Sequence, residues 1–248
     1  MADLARTMQA LAGIEAMRPL APAVIVSVIF AALARWVRGV TLGGAIAGAG
    51  ICCLLYAGAG LGAFLVLVSV FALTWVSTRF GYRRKEKLGT AERSDGRTAL
   101  QVLANLAVAA GCAGLSVVSS RRAVFLLAVS AALSEAAADT VSSEVGQARS
   151  ADARLIVSWE VVPAGTDGGV SWAGTSAGIV AAALVSLVSV MTGLIPLKWV
   201  GVSIAAAAAG MIADSFLGAL LEQRKVLNND AVNFLGTFIA ACVAALIV

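Results

Sequence analysis

LGGAIAGAGICCLLYAGAGLGAFLVLVSVFALTWVST, residues 42–78, holds no charged side chain. A helix crosses the hydrocarbon of a bilayer with about 20 apolar residues. The stretch is therefore too long for one crossing and reads as two, 42–58 and 60–78, the first of them short and rich in glycine. Working outward, comparable apolar runs fall at 19–37, 98–118, 123–145, 174–193, 197–220 and 230–248. The expected fold is all-α: a polytopic transmembrane helix bundle of about eight spans, with seven to nine as the range. Hydrophobic residues make up 60% of the 248 and charged residues 13%. A soluble domain of this size cannot cover so much apolar surface with so little charge. Alanine and glycine within the runs let helices approach closely. Residues 1–18, mixed in charge, are expected to be a surface helix or tail, and 19–248 a single transmembrane catalytic domain.

Cytoplasmic loops carry an excess of Lys and Arg. The loop 79–97 contains Arg79, Arg83, Arg84, Lys85, Lys87, Arg93 and Arg97 and is assigned to the cytoplasm. Counting spans from it places Arg35, Arg38, Arg149, Arg154, Arg224 and Lys225 on the same side, 13 of the 18 basic residues in all. Arg6, Arg18, Arg121, Arg122 and Lys198 fall outside, with the N-terminus. The same count brings the loop 79–97, the Gly/Pro loop 147–173 and the segment 221–230 to one face. The expected setting is a bacterial inner membrane with the active site facing the cytoplasm.

There is no histidine, and Cys52, Cys53, Cys112 and Cys242 lie in apolar runs without zinc-ligand spacing. Chemistry then rests on carboxylates, amides, hydroxyls, cationic side chains and backbone groups. Glu135, Asp139, Glu144 and Asp214 sit inside spans. A charge there costs about 3 kcal/mol or more unless it meets a partner or a wet cavity. Glu135, Asp139, Ser142, Ser143 and Gly146 share a stripe of a regular helix, whereas Glu144 lies about 140° from Asp139. Asp139 and Glu144 reach one ion only if the helix breaks or a loop folds back. Gly210, Asp214 and Gly218 share a face, as do Arg97, Gln101 and Asn105, and Asn229 and Asn233 stand one turn apart. Each has a structural alternative: hydrogen-bond partner for a buried carboxylate, helix cap for Asn228 or Asp230, lipid headgroup contact for the basic loop.

The turn PAGTDGGVS, residues 163–171, can turn backbone amides toward phosphate oxygens, with Thr166 and Ser171 as further donors. It is not a Walker A sequence. Oxygen ligands favour a hard cation, Mg²⁺. Mg²⁺, cationic side chains and a glycine-rich turn are the parts of phosphoryl transfer.

Six segments in order carry a family resemblance: TRFGYRRKEKLG at 78–89, GRTALQVLAN at 96–105, ADTVSSEVG at 138–146, PAGTDGGVS at 163–171, DSFLGA at 214–219 and NNDAVNF at 228–234. The segments run from 78 to 234, and the resemblance covers about residues 35–248. The chain resembles the integral-membrane family that includes phytyl-phosphate kinase of the vitamin E pathway and related bacterial and animal membrane proteins. The resemblance implies transfer of phosphate from a nucleoside triphosphate, CTP by implication, to an isoprenyl monophosphate such as phytyl or geranylgeranyl phosphate. The diphosphate product belongs to tocopherol or prenyl-quinone synthesis. It implies roles for Asp139, Glu144, Thr166, Gly168, Gly169, Asp214, Asn229 and Asn233. Val141 and Ser142 stand where Trp-Ala is usual, Ala164 where a second proline is common and Glu160 where a basic residue is frequent. These departures leave the carboxylates intact and bear on substrate identity.

The combined expectation is a Mg²⁺-dependent kinase. Asp139, Glu144 and Asp214 hold the metal-nucleotide as catalytic residues, and 165–171, including Thr166, Asp167, Gly168, Gly169 and Ser171, cradles phosphates. Arg79, Lys85, Lys87 and Arg97 neutralise phosphate, and Asn105, Asn229 and Asn233 orient ligands. The partners are a nucleoside triphosphate, a prenyl-phosphate lipid and the membrane, without nucleic acid. The alternatives are a lipid cytidylyltransferase or polyprenol kinase, and an ion-coupled transporter. For the transporter, the similar contexts of Asp139-Thr140 and Asp214-Ser215 suggest an old duplication.

Overall fold

The structure, a computed structural model, describes residues 20–150 and 152–248; the expected N-terminal surface helix lies outside them. Eight α-helices follow in order: α1 (Leu20–Trp36), α2 (Leu42–Arg79), α3 (Tyr82–Leu88), α4 (Ala99–Val118), α5 (Arg122–Arg149), α6 (Trp172–Met191), α7 (Val200–Leu217) and α8 (Asn229–Ile247). Six, counting α7 with its flanking turns as Leu197–Glu222, are long and apolar enough to cross a membrane; α1 is apolar but shorter. Outward-facing Val24, Ile25, Val28, Leu61, Ile179 and Phe238 suit a hydrocarbon surround.

The 38 residues of α2 would make a straight rod of about 57 Å. They do not. Gly60 adopts φ 82°, ψ −172°, a conformation glycine reaches without a Cβ penalty, and the helix breaks there. Arg79 at the far end donates from Nη2 to the Val37 carbonyl at 2.7 Å, just before α2 begins. The Trp75 indole reaches the same carbonyl at 3.2 Å. The two arms therefore run antiparallel, which is the pair of spans expected for 42–58 and 60–78.

α5 forms the centre. Most of its apolar window is buried, against less than half in the other spans. Leu127, Val129, Ala131, Ala132, Leu133 and Ala137 are fully enclosed. Serine hydroxyls tie α5 to its neighbours: Ser134 meets Ser186 of α6 at 3.0 Å, and Ser203 of α7 meets Ser130 and Ser186 at 2.9 Å each. Such bonds join helices where hydrocarbon offers no other partner. α5 runs unbroken to Arg149, a turn beyond the expected 145, with no break between Asp139 and Glu144.

The loop 147–173 holds a small sheet that composition did not predict. Strands β1 (Asp152–Leu155), β2 (Val161–Pro163) and β3 (Gly169–Val170) pair antiparallel in the order β2-β1-β3. Valines at 161, 162 and 170 suit strands, and the Gly/Asp/Thr turn between β2 and β3 supplies the reversal.

A candidate active site at the polar end of the bundle

Three segments expected at one face meet there around a polar cavity of about 940 Å³. Its walls come from α4, α5, the small sheet and its glycine turn, the start of α6, the end of α7 and the start of α8. Helix starts are fixed by side-chain caps. Thr98 and Gln101 form a capping box on α4, Ser171 accepts from the Gly174 amide on α6, and Asn228 from the Ala231 amide on α8. The N-terminal ends of these three helices thus border the cavity and carry partial positive charge, suited to phosphate oxygens.

Among the expected residues, Arg97, Asn105, Asp139, Glu144, Asp214, Asn229, Asn233 and the turn residues Thr166, Asp167, Gly168, Gly169 and Ser171 all line this cavity. Arg97 is held on both sides. Its amide donates to the Gly39 carbonyl at 3.1 Å and its carbonyl accepts from the Thr41 amide at 2.9 Å, a short parallel bridge to the α1–α2 corner. Its Nη2 reaches the Thr140 hydroxyl at 3.3 Å. The guanidinium is thereby set at the residue that follows Asp139 on α5. Asp139 and Asp214 line the same cavity.

Glu135 lies one turn deeper on α5 and is 1% exposed. Close backbone approach of α7 and α8 encloses it: a Cβ on Gly236 would stand 2.6 Å from Glu135 Oε1 and 3.4 Å from Asp214 Cβ. Among the described residues, Glu135 Oε1 and Asp214 Oδ2 are buried without a hydrogen-bond partner. Buried oxygens of this kind normally have a partner, so these two are candidates to meet a ligand or solvent. No three Asp, Glu or Cys side chains among the described residues are arranged to hold a metal ion unaided. Mg²⁺ needs no such cage. It is usually bound by one or two carboxylates with substrate phosphates and water completing its octahedron. The all-oxygen donor set of Asp139 and Asp214, with an unpartnered oxygen at Asp214, fits that ion.

The glycine turn is fastened to the helical turn Gly218–Glu222 that follows α7. Gly168, at φ 73°, rests on Ala219, where any Cβ would collide with Ala219 backbone and side chain. Gln223 donates from Nε2 to the Asp167 carbonyl at 2.7 Å. Amides of Thr166 and Gly169 are used inside the turn. Among the described residues, no backbone acceptor meets the amides of Gly165, Asp167 and Gly168, which leaves donors for an oxyanion. Partial burial pushes the Asp167 carboxyl above the ordinary carboxylate range. The residue is largely exposed, so solvent blunts that push.

Three expected phosphate contacts lie elsewhere. Lys85 is fully buried and ion-paired with Glu144, and it also donates to the carbonyls of Ser77 at 3.2 Å and Thr78 at 2.7 Å. A fixed three-way bond network leaves Lys85 little freedom to follow a substrate, and it occupies one Glu144 oxygen. With α5 unbroken, Glu144 reaches Lys85 of α3, while Asp139 lines the cavity together with Arg97 and Asp214. Lys87 is exposed and lines neither major cavity. Arg79 stacks on Trp75, its guanidinium 3.9 Å from the ring centre, and borders a second, apolar cavity.

The cavity also contains residues that the sequence reading did not assign. Gln101 donates to Glu92 at 3.1 Å, and Thr140, Arg154 and Glu222 line the wall. Gln101 already stood in the Arg97–Asn105 stripe, and Thr140 follows Asp139 in a quoted motif. Arg154 and Glu222 carried no spacing signal.

Comparison with known proteins places the chain in a family. The chain is 34% identical over 184 residues to the uncharacterized membrane protein MJ0933 of Methanocaldococcus jannaschii, covering 74% of this chain and 75% of that one. It is 31% identical over 195 residues to the uncharacterized membrane protein sll0875 of Synechocystis, covering 77% and 76%. To protein VTE6, chloroplastic, of Arabidopsis thaliana it is 30% identical over 195 residues, covering 75% of this chain and 59% of that protein. No solved structure matches. The family described as integral membrane protein DUF92 matches residues 25–241, a range that contains all six quoted motifs. The chain belongs to this integral membrane family.

Proposed function

We propose that the protein is a membrane-embedded kinase that transfers phosphate from a nucleoside triphosphate, CTP by resemblance, to an isoprenyl monophosphate, with its polar cavity facing the cytoplasm of a bacterial inner membrane. One observation carries the reading. A cavity rich in carboxylates and amides, edged by a glycine turn with free amides and three helix N-termini, adjoins an apolar cleft among the spans. Polyanions and hydrocarbon thus have adjacent places to bind.

Asp139 and Asp214 would hold Mg²⁺ together with the nucleotide phosphates. When bound, the ion offsets charge on the transferring group. Carboxylates alone would repel a nucleotide, so the metal, Arg97 and the helix ends supply the opposing charge. The turn 165–169 receives phosphate oxygens at its amides. Asn229 and Asn233 offer neutral donors that orient without adding charge.

An oxygen of the acceptor monophosphate attacks the γ-phosphorus, a new O–P bond forms, and the bond from that phosphorus to the bridging oxygen breaks. The nucleoside diphosphate leaves with the electron pair. The attacking oxygen is already ionised at neutral pH, so no histidine base is needed. Purified protein offered phytyl or geranylgeranyl monophosphate, Mg²⁺ and nucleotides tests this by mass detection of lipid diphosphate. Formation of a cytidine-linked lipid instead would support the cytidylyltransferase reading, and phosphorylation of a prenol the alcohol-kinase reading.

Glu135 favours a second reading. A buried carboxylate with an unpartnered oxygen deep in the bundle also suits ion-coupled transport. Gradient-driven flux in liposomes without nucleotide would support it.

A further inference from the structure

A second cavity, of about 360 Å³, lies between α1, both arms of α2 and α4. Phe30, Ala34, Leu67, Phe71, Val102 and Leu106 form its apolar wall. Its rim is cationic. Arg38 sits at the α1–α2 corner with φ 55°, an uncommon conformation for a residue with a side chain. Arg79 is fixed at the rim by the Val37 carbonyl and by Trp75. Glu92, Arg97, Gln101 and Asn105 line both this cavity and the polar one, so the two meet at these four residues.

An apolar cleft that opens, past arginines, onto a phosphate-binding cavity matches a lipid with one hydrocarbon chain and an anionic head. We infer that the acceptor's isoprenyl chain lies in this cleft, with its phosphate at Arg97 and Asn105, so that the head enters the polar cavity from the α1–α4 side. This rests on the kinase reading for the identity of the lipid. The volume is at the lower end of ordinary ligand pockets, about 300–1,000 Å³, which suits one chain better than the two of a phospholipid. Head placement at Arg97 fits a residue whose backbone is held at the α1–α2 corner and whose guanidinium is held by Thr140.

The test is photolabelling of the purified full chain in detergent with a diazirine-bearing geranylgeranyl monophosphate, mapped by peptide mass spectrometry. The expected label falls on peptides containing Phe30, Phe71 and Val102. It is competed by unlabelled geranylgeranyl phosphate and not by dioleoyl phosphatidylcholine. Gly48→Leu narrows the cleft: a Cβ there lies 4.0 Å from Val102 Cγ1, ordinary contact, and the branches project onward. It should lower cleft labelling roughly tenfold, the scale on which a few methylenes decide fit in an apolar pocket. Label confined to α6–α8, or label that phosphatidylcholine displaces, overturns the cleft, and the wild-type map alone decides this if Gly48→Leu misfolds. Turnover with label elsewhere rejects the cleft and keeps the kinase. Competed cleft label without turnover on any nucleotide rejects the kinase and keeps a lipid-phosphate site.

Discussion

Lys85 and Glu144, 59 residues apart in sequence, form a buried ion pair that fastens the short helix α3 to the central helix α5. Two of the most conspicuous charges in the sequence are therefore joined to each other. Removing one partner leaves the other buried and unpaired, which costs about 3–5 kcal/mol, whereas replacing both by apolar groups costs less. Lys85→Met, Glu144→Gln and Glu144→Leu should each lower the unfolding temperature in detergent, and the double Lys85→Met/Glu144→Leu should recover part of the loss of its two singles. Additive losses in this double-mutant cycle would show that the pair is not coupled. Lost nucleotide binding with unchanged stability in Glu144→Gln would restore Glu144 as a metal ligand.

The proposed mechanism rests on Asp139 and Asp214. Asp139→Asn and Asp214→Asn keep shape and remove charge, and each should lower turnover by about 10²-fold or more, the scale of one lost electrostatic contact to a transferring group. Size-exclusion profile and melting temperature should stay close to wild type. A folded variant with full turnover would remove that residue from the mechanism.

The spans were legible because hydropathy records burial in hydrocarbon directly, and the division of 42–78 into two because the run is too long for one crossing. Convergence of the polar loops was legible too, since strict alternation of crossings fixes which loops share a face. Side-chain partners were not. Lys85 looks like any member of a basic loop, and only the packing of α3 on α5 reveals its burial. Helix geometry indicated that Glu144 and Asp139 diverge; their shared family motif pointed the other way. The small sheet escaped because strands of two to four residues leave little periodicity. The apolar cleft escaped because Phe30, Phe71 and Val102 each read as ordinary span residues, and only the antiparallel fold of α2 brings them together.

Gly168 tests the phosphate turn. Its left-handed backbone costs a Cβ-bearing residue roughly 1–2 kcal/mol, and Ala219 leaves no room for the added methyl. Gly168→Ala should displace the glycine turn from Ala219 and raise the KM for nucleotide more than that for lipid phosphate. Equal effects on both, or none, would separate the turn from nucleotide binding.

Metal removal should act on the nucleotide first. EDTA should abolish binding of a fluorescent nucleotide, and Mg²⁺ should restore it, while photolabelling by the lipid probe persists. Nucleotide binding of equal affinity in EDTA would exclude a metal-bridged complex.

Orientation has its own test. A single cysteine at Ser94, in the basic loop, placed in a background without Cys52, Cys53, Cys112 and Cys242, should react with a membrane-impermeant maleimide in inside-out vesicles and not in intact cells. The reverse pattern would put the cavity on the opposite side of the membrane.

The most direct measurement is turnover by the purified protein. Geranylgeranyl and phytyl monophosphates are each offered with CTP, ATP, GTP and UTP in the presence of Mg²⁺, and products are identified by mass spectrometry. The account predicts lipid diphosphate and nucleoside diphosphate in equal amounts, lost with EDTA and in Asp139→Asn. Folded protein that binds nucleotide and lipid phosphate yet forms no diphosphate with any pair would contradict it.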